Sequence, residues 1–302
     1  MNDLEALQLE IENHYSKKRI SLLVRDEVSN TPALVSAISQ CSEALDVYRQ
    51  TTYSYNSKNE RVAALNMDIL EEAVMKVLDV VMLLDRPITF TSLVGMTCGA
   101  IPGDKLSSIR TISEVIAYMH YNNVLTAIPA SQAESGMMEV CPIYVVSQEV
   151  KDFAHGTRFL PPMICEPKEL KNNRSSGYLT IKGESLILKG GNHHNGNICL
   201  DNLNRLNSIA LSLDEEMLKV LKDESKVPLD TPKKKDQFDK LQADSEEVFN
   251  LILKTGNKFY LNHQPDKRGR TYAKGYHISV QGNSFRKAII NFHKKEVVEG
   301  VY

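Results

Sequence analysis

The sequence contains no tryptophan, and aromatic residues of all kinds make up only 7% of its 302 positions. It also lacks a long hydrophobic run, because the longest, Val77 to Leu84, is interrupted by Asp79 and is far shorter than the roughly 20 residues that span a membrane. The five cysteines lie far apart without a CxxC pair, and the N-terminus has no apolar signal-peptide core. These absences argue against a membrane role and against secretion, and they favour a reducing cytoplasm.

The common catalytic and metal-binding motifs are missing too. No HExxH, GxSxG or GxGxxG string occurs, and the loop Gly99 to Lys105 differs in spacing from a phosphate-binding loop. His193 and His194 lie in a turn rich in Gly and Asn, with no cysteine or carboxylate at metal-ligand spacing. Neighbouring carboxylates such as Glu246 and Glu247 occur in helical segments with lysine partners, where solvated pairs are the usual result. We therefore expect no catalytic and no metal-binding residue in this chain.

Charge is distributed unevenly along the chain, although the formal net charge is only −2. The segment Leu251 to Lys295 holds ten lysines and arginines against a single acid, Asp266, which gives it a net charge of +9 and leaves −11 for the rest. A basic segment on an otherwise acidic chain is typical of a local contact with a polyanion. A solvated surface that only keeps the protein soluble is the alternative.

Hydrophobic residues make up 42% of the sequence, enough for the cores of one large domain or two ordinary ones. Their spacing predicts helices at Leu4–Arg25, Leu65–Leu84, Ser107–Tyr121, Leu200–Asp223, Lys234–Lys258 and Ser284–Phe292. It also predicts hairpins formed by Val124–Ile128 with Met138–Val146 and by Tyr178–Ile181 with Ser185–Lys189, and a β-like run at Tyr276–Val280. A proline-rich stretch from Leu160 to Ser176 marks a boundary in extended conformation. The expected fold class is mainly α with small β-hairpins, an α+β protein.

The basic segment contains the string Asp266-Lys-Arg-Gly-Arg-Thr-Tyr-Ala, followed by Gln281-Gly-Asn and then Lys287. This pattern resembles the DxxGR region of the single-subunit RNA polymerases of phages and mitochondria. In physical terms, glycine lets a backbone approach a strand closely, and arginine offers planar donors that match phosphate oxygens. The resemblance implies nucleic-acid contacts at Asp266, Lys267, Arg268, Gly269, Arg270, Tyr272, Gln281, Asn283 and Lys287.

The resemblance extends backwards along the chain. The segment Leu203 to Leu218 is similar to a family segment without a gap, and Leu160 to Pro167 with Gly177-Tyr178 is similar to the proline-rich stretch and turn that precede it. The hairpin 124–146 lies where the family carries a hairpin that inserts at the upstream edge of the melted promoter. At the tip of this upstream hairpin, an apolar wedge against a base step is expected from Ile128, Met137 and Met138.

Two departures from the family pattern shape the expected function. The N-terminal region is short for the family, and the sequence stops at Tyr302, before the family's two metal-binding aspartates. The resemblance therefore implies the non-catalytic N-terminal half of a split phage DNA-directed RNA polymerase, similar to the smaller subunit of the heterodimeric middle-gene enzyme of some lytic podoviruses. A second subunit would carry the remaining palm and fingers and bind the Mg²⁺ ions of two-metal phosphoryl transfer. A truncated polymerase kept for another use is the competing explanation.

The same resemblance suggests how the chain is divided and what it meets. Residues 1–155 would form a reduced N-terminal domain with the upstream hairpin 124–146, residues 156–200 a proline-rich connector and hairpin, residues 201–262 a thumb-like helix pair, and residues 263–302 the start of the palm of a right-hand polymerase. The expected partners are the second subunit, the DNA template, the RNA–DNA hybrid and an accessory promoter-recruitment factor. The expected location is the cytoplasm of the infected bacterial host, away from any membrane.

A different class of function fits one part of the sequence. Two helical stretches precede a hairpin between Thr89 and Val146, in the manner of a winged-helix DNA-binding domain. The alternative is therefore a winged-helix-like DNA-binding transcriptional regulator without a catalytic role. Such a regulator would use this segment and the basic tail without any polymerase partner.

Overall fold

The computed structural model describes residues 3–129, 137–182, 185–187, 196, 198–225 and 227–295. The chain divides into two compact units: a helical unit, Lys17–His155, and a mixed unit, which joins Met1–Ser16 to Gly156–Tyr302. Helices combine with small antiparallel sheets, so the fold is α+β, as the sequence predicts. In the described ranges no helix is both long and apolar enough to cross a membrane.

The elements are named in chain order. The helices are α1 (Asp3–His14), α2 (Lys17–Ser29), α3 (Pro32–Gln50), α4 (Asn56–Ala63), α5 (Met67–Val81), α6 (Phe90–Thr97), α7 (Lys105–Tyr121), α8 (Gln148–Gly156), α9 (Leu200–Asn207), α10 (Glu215–Val220), α11 (Pro232–Lys254) and α12 (Ser284–Ala288). The strands are β1 (Ile88–Thr89), β2 (Leu125–Pro129), β3 (Met138–Pro142), β4 (Leu211–Leu213), β5 (Asn262–Pro265), β6 (Thr271–Lys274) and β7 (Ile290–Phe292).

The helical unit is built around α5 and α7, which the sequence predicts within a few residues. Asn66 caps α5 by accepting from the Ile69 N–H at 2.9 Å, and Asp104 caps α7 by accepting from the N–H groups of Leu106 and Ser107. The buried face of α5 follows helical spacing, with Leu70, Ala73, Val74, Val77, Leu78 and Val81 in the core. Fully burying a side chain of this size contributes about 1.5–3 kcal/mol.

A three-stranded antiparallel sheet packs beside α5, α6 and α7. Its strand order is β1-β3-β2, and the buried Val140 of the central strand lies between Ile88 and Ala127. The succession α5, β1, α6, α7, β2, β3 with this strand order is the winged-helix arrangement. The alternative raised for Thr89 to Val146 thus has the right topology, although β3 ends at Pro142 and not at Val146.

The first predicted helix, Leu4–Arg25, is wrong as a single element. The helix breaks between α1 and α2 at Tyr15 and Ser16, and the Ser16 hydroxyl donates to the Asn13 carbonyl at 2.7 Å. Serine side chains compete in this way for backbone acceptors and favour helix ends.

A buried carboxylate explains why the predicted hairpin strand Tyr178–Ile181 is absent. Glu12 of α1 is fully buried and accepts from the backbone N–H groups of Leu179 at 2.8 Å and Thr180 at 2.6 Å. Those N–H groups therefore bind a side chain instead of a partner strand, and the segment forms bends. The predicted strand Ser185–Lys189 is also wrong in its described part, because Ser185 to Ile187 form a bend, whereas residues 183, 184, 188 and 189 lie outside the described residues.

The predicted helix Leu200–Asp223 is also wrong as one element, because it splits into α9, β4 and α10. Leu211 and Leu213 are buried and pair with Phe292 and Ile290 of β7, and the Leu211 N–H also donates to the Phe259 carbonyl. Buried leucines on either side of Ser212 form the alternating pattern of a strand, which a search for helical periodicity does not detect. The expected thumb-like pair therefore contains one long helix, α11, which starts at the Thr231 cap.

The end of the mixed unit differs from the predicted strand Tyr276–Val280 and helix Ser284–Phe292. Gly275 allows a tight turn, since a Cβ at this position would lie 2.0 Å from the Ile278 carbonyl oxygen. The helix α12 stops at Ala288 because the next residues form β7 against β4. A two-stranded ribbon, β5 with β6, carries the Asp266-Lys-Arg-Gly-Arg string in its connecting loop.

Candidate nucleic-acid interface

One carboxylate shapes the loop between β5 and β6. Asp266 accepts from the backbone N–H of Arg268 at 2.8 Å and of Arg270 at 3.0 Å, while its own N–H donates to the Arg270 carbonyl at 2.8 Å. Gly269 takes a positive φ of 80°, which only glycine adopts without strain. Asp, Gly and Arg at this spacing therefore form one hydrogen-bonded turn.

The Asp266 carboxylate also forms ion pairs with the arginine side chains of the loop. Asp266 Oδ2 accepts from Arg270 Nε at 2.8 Å and Nη2 at 2.7 Å, a two-pronged ion pair, and lies 3.8 Å from Arg268 Nε. Lost hydration raises the pKa of Asp266, but the hydrogen bonds from Arg270 and Arg268 outweigh it and hold the pKa at about 2. The carboxylate is thus charged at every ordinary pH.

The basic side chains of this loop face solvent. The Arg270 side chain is 54% exposed and that of Arg268 73%, and Lys267 is exposed as well. Arg270 also lies over the ring of Tyr272, 5.7 Å from its centroid. Fixed, exposed guanidinium groups beside an aromatic ring are suited to phosphates and stacked bases.

Gln281 holds the outer edge of β6. Its Oε1 accepts from the Ala273 N–H at 3.1 Å, and its Nε2 donates to the Thr271 carbonyl at 2.9 Å. On the other side of the ribbon, the Asn207 side chain accepts from the His263 N–H at 2.9 Å. The amide of Gln281, expected at the nucleic acid, is therefore already engaged with backbone.

Asn283 and Lys287 differ in their surroundings. The Asn283 amide donates to Asp223 at 2.5 Å and its oxygen accepts from the Arg286 N–H, so it caps α12. Lys287 is exposed, and it forms no ion pair with any residue that the structure describes. It lines a cavity of about 450 Å³ together with His263 and Phe292. Only Lys287 of this pair has its polar group available.

The chain is similar to a probable DNA-directed RNA polymerase of Gelasinospora sp. (strain G114), with 25% identity over 148 residues. That similarity indicates a relationship to RNA polymerases. The matched region is 46% of this chain but only 17% of the Gelasinospora protein, so the chain spans a small part of its relative's length. No protein-family model matches the chain.

Lys274, which the sequence did not single out as a site residue, lies on the same ribbon as the Asp266–Arg270 loop. Tyr272 and Lys274 are two residues apart in β6 and share one face of the ribbon, and Arg270, just before the strand, lies over the Tyr272 ring. Lys274 Nζ lies 5.5 Å from the centroid of the Tyr178 ring, and burial lowers the pKa of Lys274. The two-residue spacing of Arg270, Tyr272 and Lys274 was the sequence signal that could have indicated this shared face.

The upstream hairpin of the helical unit has exposed apolar residues where its strands leave the sheet. Ile128 is 40% exposed, Met138 37% and Met137 55%. Ile128 pairs with Glu139 and Pro129 with Met138, so Ile128 and Met138 project from opposite faces. The hairpin end is thus apolar on both faces, while the expected tip at residues 130–136 lies outside the described residues.

No metal site is found in the part of the chain that the structure describes. Those residues contain no group of three or more His, Cys, Asp or Glu side chains that could hold a metal ion. Two carboxylates of the mixed unit have structural roles, since Asp214 caps α10 and Asp223 binds Asn283 and Arg286. His193 and His194 lie outside the described residues. These carboxylates do not fit a Mg²⁺ site.

Proposed function

We propose that this chain is a subunit of a DNA-directed RNA polymerase and that its Asp266–Arg270 loop binds the template strand or the RNA–DNA hybrid. The observation that carries the proposal is the pre-organised loop, in which Asp266 holds the exposed Arg270 guanidinium by two hydrogen bonds and the Arg268 backbone by one. Similarity to an RNA polymerase supports the same class of function. Pre-organised guanidinium groups lose little freedom when they bind phosphate, which favours tight backbone contacts.

The finer proposal is that the chain is the non-catalytic N-terminal subunit of a split phage enzyme. A second polypeptide carries the remaining palm and fingers and holds Mg²⁺, which supplies the clamping of attacking and leaving oxygens in phosphoryl transfer. In this chain Asp214, Asp223 and Asp266 have structural roles, which is compatible with metal ligands on the second polypeptide. An accessory factor recruits the complex to promoters in the cytoplasm of the infected host.

Each surface has a proposed task within that complex. Arg268, Arg270 and Lys287 contact the phosphate backbone, and Lys274 adds a contact on the Arg270 face of β6. The upstream hairpin supports the edge of the melted promoter with Ile128 and Met138 on its two faces. Asp266, Gln281 and Asn283 position this surface without releasing their own hydrogen bonds.

Reconstitution tests the proposal. The chain is purified alone and with a co-expressed polypeptide that carries the missing polymerase motifs, and RNA synthesis is measured on a primed template with Mg²⁺ and nucleotides. We expect synthesis only from the mixture, with early release of short products when Arg270→Ala is present. Template-dependent synthesis by the chain alone, or no effect of Arg270→Ala on product length, would contradict it.

A DNA-binding regulator without a polymerase partner is the second candidate, and the winged-helix topology of the helical unit favours it. Size-exclusion chromatography with light scattering separates the two candidates. A regulator forms a stable monomer or homodimer that binds one DNA site, whereas the polymerase subunit joins a second polypeptide and binds nucleic acid with little sequence preference.

A further inference from the structure

Two aromatic rings stack at the surface of the mixed unit. The ring centroids of Phe159 and Tyr276 lie 3.6 Å apart, and the rings are within 11° of parallel. Tyr276 is 39% exposed and Phe159 is partly buried. Aromatic residues make up only 7% of the chain, so a stacked pair that reaches the surface is a candidate contact for a ligand.

The surrounding structure holds both rings in place. Phe159 lies two residues before the buried Pro161, whose ring fixes the backbone there. The Tyr276 carbonyl accepts from Arg286 Nη1. The buried His277 ring meets both rings edge-on, with centroids 6.3 Å from Phe159 and 5.1 Å from Tyr276. The stack is therefore a pre-formed flat surface.

An arginine lies over each outer face of the stack, and the two arginines differ in freedom. Arg286 is 5.6 Å from the Tyr276 centroid and is fixed, because it donates to the Tyr276 carbonyl and its Nε lies 3.6 Å from Asp223. Arg158 is 5.2 Å from the Phe159 centroid, is exposed, and forms no ion pair with any residue that the structure describes. The outer face of Phe159 is therefore covered by a group that is free to move, whereas that of Tyr276 is not.

We propose that an unpaired nucleotide binds here, with its base stacked on the outer face of Phe159 and its phosphate held by Arg158. Aromatic platforms beside cations are the usual way to bind single-stranded nucleic acid, and they accept every base because each base has a flat π-face. Arg158 moves from the ring to the phosphate, where its planar donors match the oxygens. The stacked pairs of a duplex present no free base face, so the site accepts single strands and excludes duplexes.

The charge around the stack favours a nucleic acid over a peptide. Tyr276 and Arg286 belong to the segment Leu251 to Lys295, in which ten lysines and arginines stand against one acid. Proline-rich peptides also bind aromatic surfaces, but their prolines carry no charge that Arg158 could pair with. The site adds a base contact to the phosphate contacts of the Asp266–Arg270 loop, and it rests on the proposed function only for the origin of the strand.

The lack of tryptophan in the sequence provides a direct probe of this site. In Phe159→Trp the full chain has a single indole, whose fluorescence should be quenched when a base stacks on it. We expect saturable quenching by a short oligodeoxyadenylate and by the matching RNA oligonucleotide, and the tighter of the two identifies the strand that the site takes. A fully paired duplex of the same sequence should quench much less. Tyr55→Trp, at an aromatic side chain of the helical unit that is 75% exposed, should show no quenching by either oligonucleotide.

Fluorescence anisotropy of a labelled oligonucleotide measures the contribution of each side chain. Phe159→Leu keeps the apolar bulk without the ring and should weaken binding on the order of tenfold. Arg158→Gln should weaken binding several-fold and lower the salt slope by about 0.7 for the one cation removed. Arg110→Gln, at an exposed arginine of α7, should have neither effect. Urea unfolding of each variant checks that the fold is retained.

The outcomes separate this inference from the proposed function. Quenching of Phe159→Trp by single strands, together with the loss of affinity in Phe159→Leu, supports the site. No quenching at oligonucleotide concentrations that saturate the parent chain would overturn it, and so would equal affinity of Phe159→Leu and the parent. Equal quenching by the duplex would also count against base stacking. RNA synthesis and the effect of Arg270→Ala on product length test the proposed function, so either idea can fail without the other.

Discussion

At the scale of single residues, Asp266 determines what the basic loop can do. Its two oxygens bind the backbone of Arg268 and Arg270 and the guanidinium of Arg270, so loop shape and side-chain direction depend on one group. A phosphate that approaches Arg270 meets a donor that is already oriented and still half exposed. The remaining guanidinium N–H groups stay available, because arginine has five donors in a fixed plane.

The first prediction concerns Arg270. Arg270→Ala should weaken binding of the full chain to an RNA–DNA hybrid about tenfold, since a charge-assisted hydrogen bond contributes on the order of 1.5–3 kcal/mol. Stability should change little, because the Arg270 side chain is 54% exposed and Asp266 keeps its hydrogen bonds from the backbone N–H groups of Arg268 and Arg270. Lys254→Ala, an exposed lysine of the same basic segment, is the control. Unchanged affinity combined with lost stability would show that the ion pair only supports the fold.

His277 gives the second prediction, on pH. It is buried, with Nδ1 2.9 Å from the Ser245 hydroxyl, and burial lowers the pKa of His277 to about 4, with the Arg286 charge as a lesser cause. In the unfolded chain the pKa is about 6.5. As the pH falls from about 6.5 to 4, His277 therefore binds a proton in the unfolded chain but not in the folded protein. The free energy of unfolding decreases in that pH range.

Replacement of the histidine should remove this pH dependence. Urea unfolding of His277→Gln between pH 7.5 and 4 should show a loss smaller by on the order of 2–3 kcal/mol than that of the parent chain. His155→Gln, at an exposed position, should behave like the parent. Identical pH profiles for His277→Gln and the parent would show that His277 protonates normally in the folded protein.

At the scale of elements, a buried network of hydrogen bonds joins α1 to the rest of the mixed unit. Glu12 accepts from Leu179 N–H, Thr180 N–H and the Thr180 hydroxyl, and Gln8 accepts from Ile164 N–H at 3.0 Å. Burial raises the pKa of Glu12, but these hydrogen bonds outweigh it, and the pKa lies below its usual value. The charge on Glu12 is thus compensated by donors instead of by a cation.

Loss of this network is the third prediction. Glu12→Ala should destabilise the protein by about 2–4 kcal/mol, because buried N–H groups lose their acceptor. Equilibrium unfolding in urea measures the change, and Glu10→Ala on the exposed side of the same helix should shift stability by less than about 0.5 kcal/mol. Similar values for the two variants would mean that water replaces the carboxylate at little cost.

The upstream hairpin carries the fourth prediction. In the reconstituted polymerase, Ile128→Ser with Met138→Ser should impair initiation on duplex promoters several-fold, because a polar pair is a poor wedge between stacked bases. Both side chains are exposed, so the fold should survive. Activity on a pre-melted template should be retained. Equal loss on duplex and pre-melted templates would show that the hairpin is only structural.

Local signals in the sequence predicted some elements well and others poorly. α5, α7, α11 and the β2–β3 pair have strong periodicity or caps, and all four occur within about four residues of their predicted bounds. β4 and β7 are three residues each, and their pairing joins positions far apart in the chain, which periodicity does not detect. The Asp266 loop was predictable because all its contacts lie within five residues. The roles of Gln281 and Asn207 were not predictable, because they depend on tertiary contacts.

At the scale of the whole molecule, the short sheets differ in how available their edges are. Asn207 and Gln281 occupy outer backbone groups on the two sides of the β5–β6 ribbon. The more available edge is β7. Its Asn291 pairs with Ser212 of β4, so Ile290 and Phe292 direct their N–H and C=O groups away from the sheet. No backbone partner for these groups occurs among the described residues.

The surroundings of β7 suit an incoming strand. Phe292 is 65% exposed and borders the cavity of about 450 Å³, which Val280, Ile290 and Lys287 also line. An added strand would bond to the edge while its side chains fill the apolar cavity, as in β-strand addition. Exposed edges of this kind also promote aggregation when no partner covers them. In the proposed complex, this edge is where the second subunit would bind.

The last prediction tests that edge directly. Phe292→Pro removes the outward N–H and the exposed ring, while the pairing of Asn291 with β4 does not use the Phe292 N–H. Co-purification of a tagged second subunit should be lost in Phe292→Pro and weakened in Phe292→Ala, whereas Val220→Ala, at another exposed apolar side chain, should bind normally. Chemical unfolding of each variant alone checks that β4 and β7 remain paired. Normal assembly of Phe292→Pro would place the subunit contact elsewhere. A strand that adds to β7 needs the Phe292 N–H as a donor, and a stable interface of more than about 2,000 Å² needs an apolar centre, which the Phe292 ring would supply.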